Sequence, residues 1–311
     1  MGRAHACLMN GFFLKTDSPV AFISVTGEDA AEFLQSQLSN DVEQVADGSV
    51  THALLLNLKG KIEGDCHALR KDEENYWLYS AYTPATSIIE RFEKYIIADD
   101  VELEDLSSNC QQLTVYGEAM QVAVAQLGLE CPEAGMFAQS GECFCFATPR
   151  AESPSLEIIG PQEALQAVIA ALEDVGCSAI NVDEAERLRI EAGIPAASTD
   201  ATADDFPQEC GPLAELVSYR KGCYLGQEIM AGLRKTGRTT RTLCKVESDL
   251  KLPENAPLFT DGKQVGELRS AAQNGAGVIG LAMLRRKVLE TAPQLALSAE
   301  GPGLVCILCA I

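Results

Sequence analysis

Ala21-Phe22-Ile23-Ser24-Val25-Thr26-Gly27-Glu28-Asp29-Ala30-Ala31-Glu32-Phe33-Leu34-Gln35-Ser36-Gln37-Leu38 reads as one folding unit. Its opening residues alternate as a half-buried strand does, Gly27 turns the chain, and Ala30, Phe33, Leu34 and Leu38 fall on one helical face. Thr26 and Asp29 stand three apart, close to a capping box. The pattern returns twice, in Gln112 to Gly128 turning at Gly117 and in Ser155 to Gly176 turning at Gly160. In the last of these Leu165, Val168, Ile169 and Leu172 form the apolar stripe, and Gly176 stands where a left-handed cap belongs. Such units, separated by further strands, predict an α+β fold with helices packed on antiparallel sheets.

Working outward, His52 to Leu58 and Lys61 to Leu69 flank Lys59-Gly60 as a hairpin. Tyr76 to Tyr79 reads as another strand, and Ser87 to Ile97 as a helix with Ile88, Ile89, Phe92 and Tyr95 inward. Residues 196–205 are small and polar without periodicity, which predicts a long surface loop. Past Arg234 the chain turns to short strands: Thr242 to Val246, Val265 to Leu268, Val278 to Leu284 and Leu304 to Ile311. Short strands with glycine turns fit a small β-barrel. Two regions are therefore expected, 1–232 and 233–311.

Charge follows the same division. The 311 residues carry a net charge of −21. Residues 233–311 hold 11 Lys+Arg against 7 Asp+Glu, so the excess of acid lies wholly in 1–232. An acidic body repels nucleic acid, and no direct nucleic-acid partner is expected. Arg220, Lys221, Arg234, Lys235, Arg238 and Arg241 form a local cationic strip facing only Glu228. It suits a ligand with several carboxylates, or else it is a solvated hairpin. No apolar run reaches the roughly 18–20 residues of a membrane span. The first residues lack the apolar stretch of a signal peptide, and the 12 cysteines then predict a reducing, cytoplasmic setting without disulfides. Neither Cys306 and Cys309, three apart on a strand, nor Cys143 and Cys145 supply enough ligands on one face for a metal, and none is expected. His5, His52 and His67 have no zinc-ligand spacing.

Two segments carry candidate chemistry. Lys221-Gly222-Cys223-Tyr224-Leu225-Gly226-Gln227-Glu228 sets one thiol between glycines, beside Lys221 and Arg220. Nearby cations favour a thiolate, which makes Cys223 the candidate reactive cysteine. A glycine-flanked turn with a small buried cysteine is the other reading. In Asp183 to Pro195 a helix is stopped by Gly193 and Pro195, and Glu191 is its last charged residue. The helix dipole disfavours an anion there, so Glu191 needs either a salt bridge to Arg187, one turn back, or a ligand that donates hydrogen bonds.

The Lys221–Glu228 octet closely resembles the K-G-C-[FY]-x-G-Q-E signature of the YgfZ family, folate-binding relatives of the glycine-cleavage T-protein that support iron–sulfur enzymes. Arg187 to Pro195 resembles the R-x-E-A-G-[IL] segment of both groups. Val25 to Val42, Asn57 to Ile62 and Asp261 to Ser270 are similar to other stretches of these proteins, in the same order. The resemblance implies a three-domain ring around a folate channel, with a T-protein-like α+β region over 1–232, in two subdomains, and a C-terminal β-barrel over 233–311. It implies tetrahydrofolate or a one-carbon derivative as cofactor, with Glu191 hydrogen-bonding the pterin, Asp65 and Arg187 beside it, and the glutamate tail towards the cationic strip. It gives Cys223 the reactive role, at the channel mouth, supported by Lys221, Gly222, Tyr224, Gly226, Gln227 and Glu228. Iron–sulfur client or assembly proteins are the implied partners, with only an indirect effect on tRNA modification. One departure stands out. T-proteins carry an acidic pair where this chain has Gly64-Asp65, which weakens the alternative of an aminomethyl- or methyltransferase.

Overall fold

The computed structural model describes residues 11–237, 239–253, 255–291 and 294–311. The chain begins with β1 (Gly11–Thr16), β2 (Ala21–Thr26), α1 (Ala30–Gln37), β3 (Val50–Leu56), β4 (Ile62–Arg70), β5 (Asn75–Ser80), α2 (Ala85–Glu93) and β6 (Glu102–Asp105). It continues with β7 (Gln111–Gly117), α3 (Ala119–Gln126), β8 (Phe137–Ser140), β9 (Cys143–Ala147), β10 (Ser155–Gly160), α4 (Gln162–Asp174), β11 (Ser178–Ala179) and α5 (Val182–Glu191). A long connection leads to α6 (Gln227–Thr236). Then come β12 (Arg241–Ser248), β13 (Pro257–Thr260), β14 (Lys263–Asn274), β15 (Gly277–Arg285), β16 (Gln294–Leu295) and β17 (Val305–Ala310).

The three strand–glycine–helix units are β2–α1, β7–α3 and β10–α4, and the expected α+β class holds. The first sheet runs β3-β4-β5-β2-β6, and α1 and α2 bury Phe33, Leu34, Ile88 and Phe92 against one of its faces. A second, six-stranded sheet runs β11-β1-β7-β10-β9-β8 and carries α3 and α4 in the same way. The two sheets meet on their remaining faces through aromatic residues. Trp77 and Phe144 lie 4.0 Å apart between ring centroids, with Phe22, Tyr79 and Phe146 in the same cluster.

The last six strands form the expected barrel, ordered β13-β14-β15-β12-β17-β16. Its ends close through Phe259 and Ala296, which exchange backbone hydrogen bonds of 2.8 Å in both directions. Leu281 and Met283 of the barrel share a core with Leu54, Leu56 and Ile62 of the first sheet. Continuing from the second sheet, α5 packs on β14 and β15. The first sheet thus touches both the second sheet and the barrel, and α5 carries the chain from the second sheet onto the barrel.

Several local expectations are corrected. Asp29 does not cap α1 with its side chain but accepts a 2.7 Å bond from the Asp100 amide. The box that does form joins Asn181 and Glu184 at the start of α5. Helix α2 ends at Glu93, where the amides of Tyr95 and Ile96 both turn back onto the Phe92 carbonyl. Residue 233 lies inside α6, which runs on to Thr236 and is stopped by the left-handed Gly237. Arg234 and Lys235 belong to the last turn of that helix, where cations suit its dipole. Strands β13 and β16 are too short to show a pattern.

The largest difference concerns residues 196–205. Far from a surface loop, the segment is folded inward, with Ala197, Asp200, Ala201 and Asp205 buried. Its small side chains leave room for arginines. Asp200 accepts Arg189 at 2.6 Å and Ser270 Oγ at 2.6 Å, while Asp205 forms ion pairs with Arg241 at 2.9 Å and Arg269 at 3.1 Å.

Candidate functional site

The octet is fastened to the first domain at both ends. Lys221 is buried, and its ammonium donates to the carbonyls of Leu38 at 2.9 Å and Asn40 at 2.7 Å, just past α1. Burial pushes this amine down to about 8, against the opposing charges of Asp41 and Glu43. The Leu225 amide donates to the Ser36 carbonyl at 3.1 Å. Tyr224 enters the core shared with the barrel, and burial raises its phenol to about 12. Gln227 reaches back to the Gly222 carbonyl at 3.3 Å. Gly222 and Glu228 are exposed, and so is Cys223, at the outer bend of this clasp. The charge of Lys221 is thus held by two carbonyls, so the lysine acts on Cys223 by fixing the loop that carries it.

Gly226 has φ 82, and a Cβ there would lie 2.7 Å from the Asn57 carbonyl oxygen. Only glycine lets the clasp lie on the β3–β4 turn. Gly226→Ala is expected to loosen the clasp at a cost of about 1–3 kcal/mol. Faster modification of Cys223 and faster amide exchange over 221–228 would be the readout; unchanged exchange would contradict this role for Gly226.

A cavity of about 250 Å³ lies between the two sheets and the segment 211–216, which leads into the clasp. Its walls are largely flat and apolar, formed by Tyr79, Tyr82, Pro149, Pro195, Leu213 and Leu216. Asp65 is one of its two buried carboxylates, Glu157 being the other. Asp65 bonds His52 Nε2 at 2.8 Å and accepts the hydroxyls of Ser80 and Thr83, each at 3.0 Å. Burial opposes its charge, but the hydrogen bond and charge of His52 outweigh that cost and hold its carboxyl below the ordinary value. His67 stacks on His52 with ring centroids 3.9 Å apart. Burial and the charge of His52 push its imidazole well below the usual range, so it is neutral.

Across the cavity, Glu157 forms an ion pair with Arg150 at 2.9 Å and accepts hydrogen bonds from Gln112 at 2.8 Å, Thr114 at 2.9 Å and Thr148 at 3.1 Å. Two nitrogens of the wall are buried without a partner, His67 Nδ1 and Arg150 Nη1. A second cleft of about 260 Å³ adjoins and shares Ala81, Tyr82 and Arg150 with the first.

Of the residues named from sequence, Asp65 reaches this cavity. Glu191 and Arg187 do not line it; they form an i,i+4 ion pair of 2.6 Å on α5, the bland alternative for Glu191. Arg187 belongs instead to a shallow groove with Ala271 and Gln273. Cys223 also lies outside the cavity wall, joined to it through the 211–216 segment. The cationic strip is largely committed elsewhere. Lys221 sits on carbonyls, Arg241 on Asp205 and Glu209, and Arg234 over the Tyr219 ring at 4.4 Å. Arg238 lies outside the described residues. His52, His67, Arg150 and Glu157 escaped the sequence reading. The two histidines could have been found, since the hairpin register sets them directly opposite one another.

No group of three or more His, Cys, Asp or Glu side chains among the described residues is placed to hold a metal. No helix among them is long and apolar enough to cross a membrane.

Comparisons with known proteins bear on this geometry. The chain is 24% identical over 272 residues to an aminomethyltransferase of Staphylococcus carnosus, covering 84% of this chain and 75% of that protein. It is 24% identical over 308 residues to a chloroplastic Arabidopsis thaliana protein described as a transferase without a stated substrate, covering 95% and 70%. In structure it is similar to the glycine cleavage system aminomethyltransferase T from Bartonella henselae, with a TM-score of 0.80 at 16% identity over 98% of this chain and 87% of that one. This likeness establishes the T-protein-like fold. Residues 6–135 match the GCVT N-terminal domain, and residues 240–304 match the CAF17 C-terminal β-barrel domain. A GCVT domain followed by a CAF17 barrel is the architecture of the YgfZ/CAF17 family, and the chain belongs to it.

Proposed function

We propose that the protein binds tetrahydrofolate or a one-carbon derivative in the cavity between the two sheets, and that Cys223 serves assembly or repair of iron–sulfur clusters in client enzymes. The observation that carries this reading is a division of labour in one segment. Residues 212–216 line a flat, apolar cavity with a buried ionised carboxylate, and seven residues later the same segment presents an exposed thiol outside it. The aromatic and proline walls suit a planar ring. The chemistry of a reduced folate, a one-carbon carrier, would take place against Asp65 and His52. A single exposed thiol can ligate iron or exchange with another thiol, but alone it cannot hold a cluster. Its contact with a client is therefore transient. Any influence on tRNA modification runs through such clients.

Gly64 argues against aminomethyl transfer. A Cβ at this position would lie 2.5 Å from Thr83 Cγ2 and 2.8 Å from its hydroxyl, which holds Asp65. A second acid here would displace the group that orients the first. The test is calorimetric titration of the full chain with tetrahydrofolate. Asp65→Asn is expected to weaken binding by about 1–3 kcal/mol, the scale of a charged hydrogen-bond partner. Unchanged affinity would move the ligand out of this cavity, and turnover of an aminomethyl donor would restore the transferase reading.

A further inference from the structure

We infer that the exposed face running from Cys223 along α6 to the barrel is a docking surface for an acidic segment of a client protein. The client's acids lie on cations at the far end of the helix while its reacting group meets the thiol. The inference rests on the reading of Cys223 above and adds the chemistry of the client and the reach it must have.

The cations come from two elements that meet. Lys235, in the last turn of α6, is exposed, and so are Arg285 at the end of β15 and Arg286 and Lys287 in the turn after it. Arg286 donates from Nε to Thr239 Oγ1 at 2.8 Å and from its amide to the Thr240 carbonyl at 3.0 Å, just past the Gly237 that ends α6. None of these four cations forms an ion pair among the described residues. The only acids on α6 and on the turn are Glu228, in the first turn of the helix, and Glu290, the last residue of the turn. Like charges held together repel, and an acidic partner removes that repulsion. At the other end of α6 the surface is apolar. Ile229 is 39% exposed and Leu58, in the β3–β4 turn, is 73% exposed. The two elements touch there, since a Cβ at Gly60 would lie 3.0 Å from Ile229 Cγ2. Gln227 ties the start of the helix to the Gly222 carbonyl, so the exposed Cys223 stands at this end.

Length sets the reach. Helix α6 has 10 residues, so its ends are about 15 Å apart. That is the span of about four to five extended residues, and it exceeds the screening length of about 10 Å at 0.1 M salt. The cations therefore favour a reaction at Cys223 only for a partner that reaches both. Charge complementarity makes that partner acidic, and the rest of the chain limits its kind. Duplex nucleic acid carries a charge about every 1.7 Å, and an anionic membrane is charged over its whole surface. Either would run from the cluster onto residues 1–232, which hold the excess of acid. A protein segment can confine its acids to the cluster and lay apolar side chains on Leu58 and Ile229.

The experiment follows disulfide exchange between Cys223 and synthetic peptides whose single cysteine carries a pyridylthio group. The Cys223 thiolate attacks the peptide sulfur, a disulfide joins the two chains, and pyridine-2-thiolate leaves and takes a proton from water. Mass spectrometry of the digested product separates Cys223 from the other thiols. A peptide with about four glutamates set about five residues from its cysteine is expected to react roughly tenfold faster than its lysine counterpart at low salt. The advantage should vanish at about 1 M salt, where screening shortens to about 3 Å. Glutamates directly beside the cysteine should give little advantage. Lys235→Glu with Lys287→Glu should remove the advantage and leave exchange with neutral 2-hydroxyethyl disulfide unchanged. In the strain lacking its own homologue, the same double variant should lose client activity while tetrahydrofolate affinity stays. Equal rates for acidic and basic peptides, an advantage independent of spacing or of the two lysines, or full rescue by the double variant would each overturn the docking surface and leave the reactivity of Cys223 standing. Binding of tRNA or of phosphatidylserine vesicles that depends on Lys235 and Lys287 would give the surface to a polyanion and overturn the inference as well. No exchange at Cys223 with any disulfide would overturn the reading of the thiol and this inference together.

Discussion

Cys223→Ser is expected to abolish function in a strain lacking its own homologue, scored by the activity of an iron–sulfur client enzyme, while fold and tetrahydrofolate affinity stay as in the wild type. The separation follows from the geometry. Cys223 is exposed and lies outside the cavity wall, so losing its sulfur removes no core packing and no ligand contact. The clasp depends on its neighbours, through Lys221 on the Leu38 and Asn40 carbonyls, Leu225 on Ser36 and Gly226 against the β3–β4 turn. Serine is close to cysteine in size and leaves these contacts alone. What it removes is a soft sulfur ligand and nucleophile. Full rescue by Cys223→Ser would overturn the proposed role of the thiol. A loss of rescue accompanied by lost folate binding would place the defect in the fold.

The reach of the sequence was uneven, and the reasons are physical. Strand–glycine–helix units were legible because periodicity within one element is set by which of its faces is buried. The barrel strands were legible for the same reason, down to the limit of β13 and β16. Its closure through Phe259 and Ala296 was not, because pairing between distant strands leaves no local trace. The octet identified the exposed thiol, but it did not reveal that Lys221 points into the first domain. Side-chain direction on an irregular loop is set by what the loop packs on. Asp65 was found through its match to one acid of the T-protein pair, whereas Glu157 on the second sheet and Arg150 in its β9–β10 turn face it from far along the chain. Glu191 was named as a ligand residue by the resemblance alone, and in the structure it pairs with Arg187, the partner its own helix offered. Small polar residues at 196–205 resembled a surface loop because composition cannot tell solvent from buried arginine.

That buried segment carries the largest expected effect on stability. Asp200→Ala is expected to destabilise the protein by about 3–5 kcal/mol, the cost of leaving a buried charge without its partner. Arg189 and Asp200 are both almost fully buried and meet at 2.6 Å. Asp200 Oδ2 also accepts the Ala196 amide at 2.8 Å, and its other oxygen accepts Ser270 of β14 at 2.6 Å. One carboxylate therefore joins α5, the inward-folded segment and the barrel. Arg189 retains Glu186 after the substitution, but Glu186 is partly exposed and cannot replace the buried contact. Denaturant unfolding followed separately by barrel and sheet probes would distinguish two consequences. A lower midpoint shared by all probes is expected, since the contact ties α5 and the inward-folded segment to the barrel, which shares a core with the first sheet. A change below about 1 kcal/mol would mean that the pair contributes no more than an exposed ion pair does, and that the ring is held by its apolar contacts.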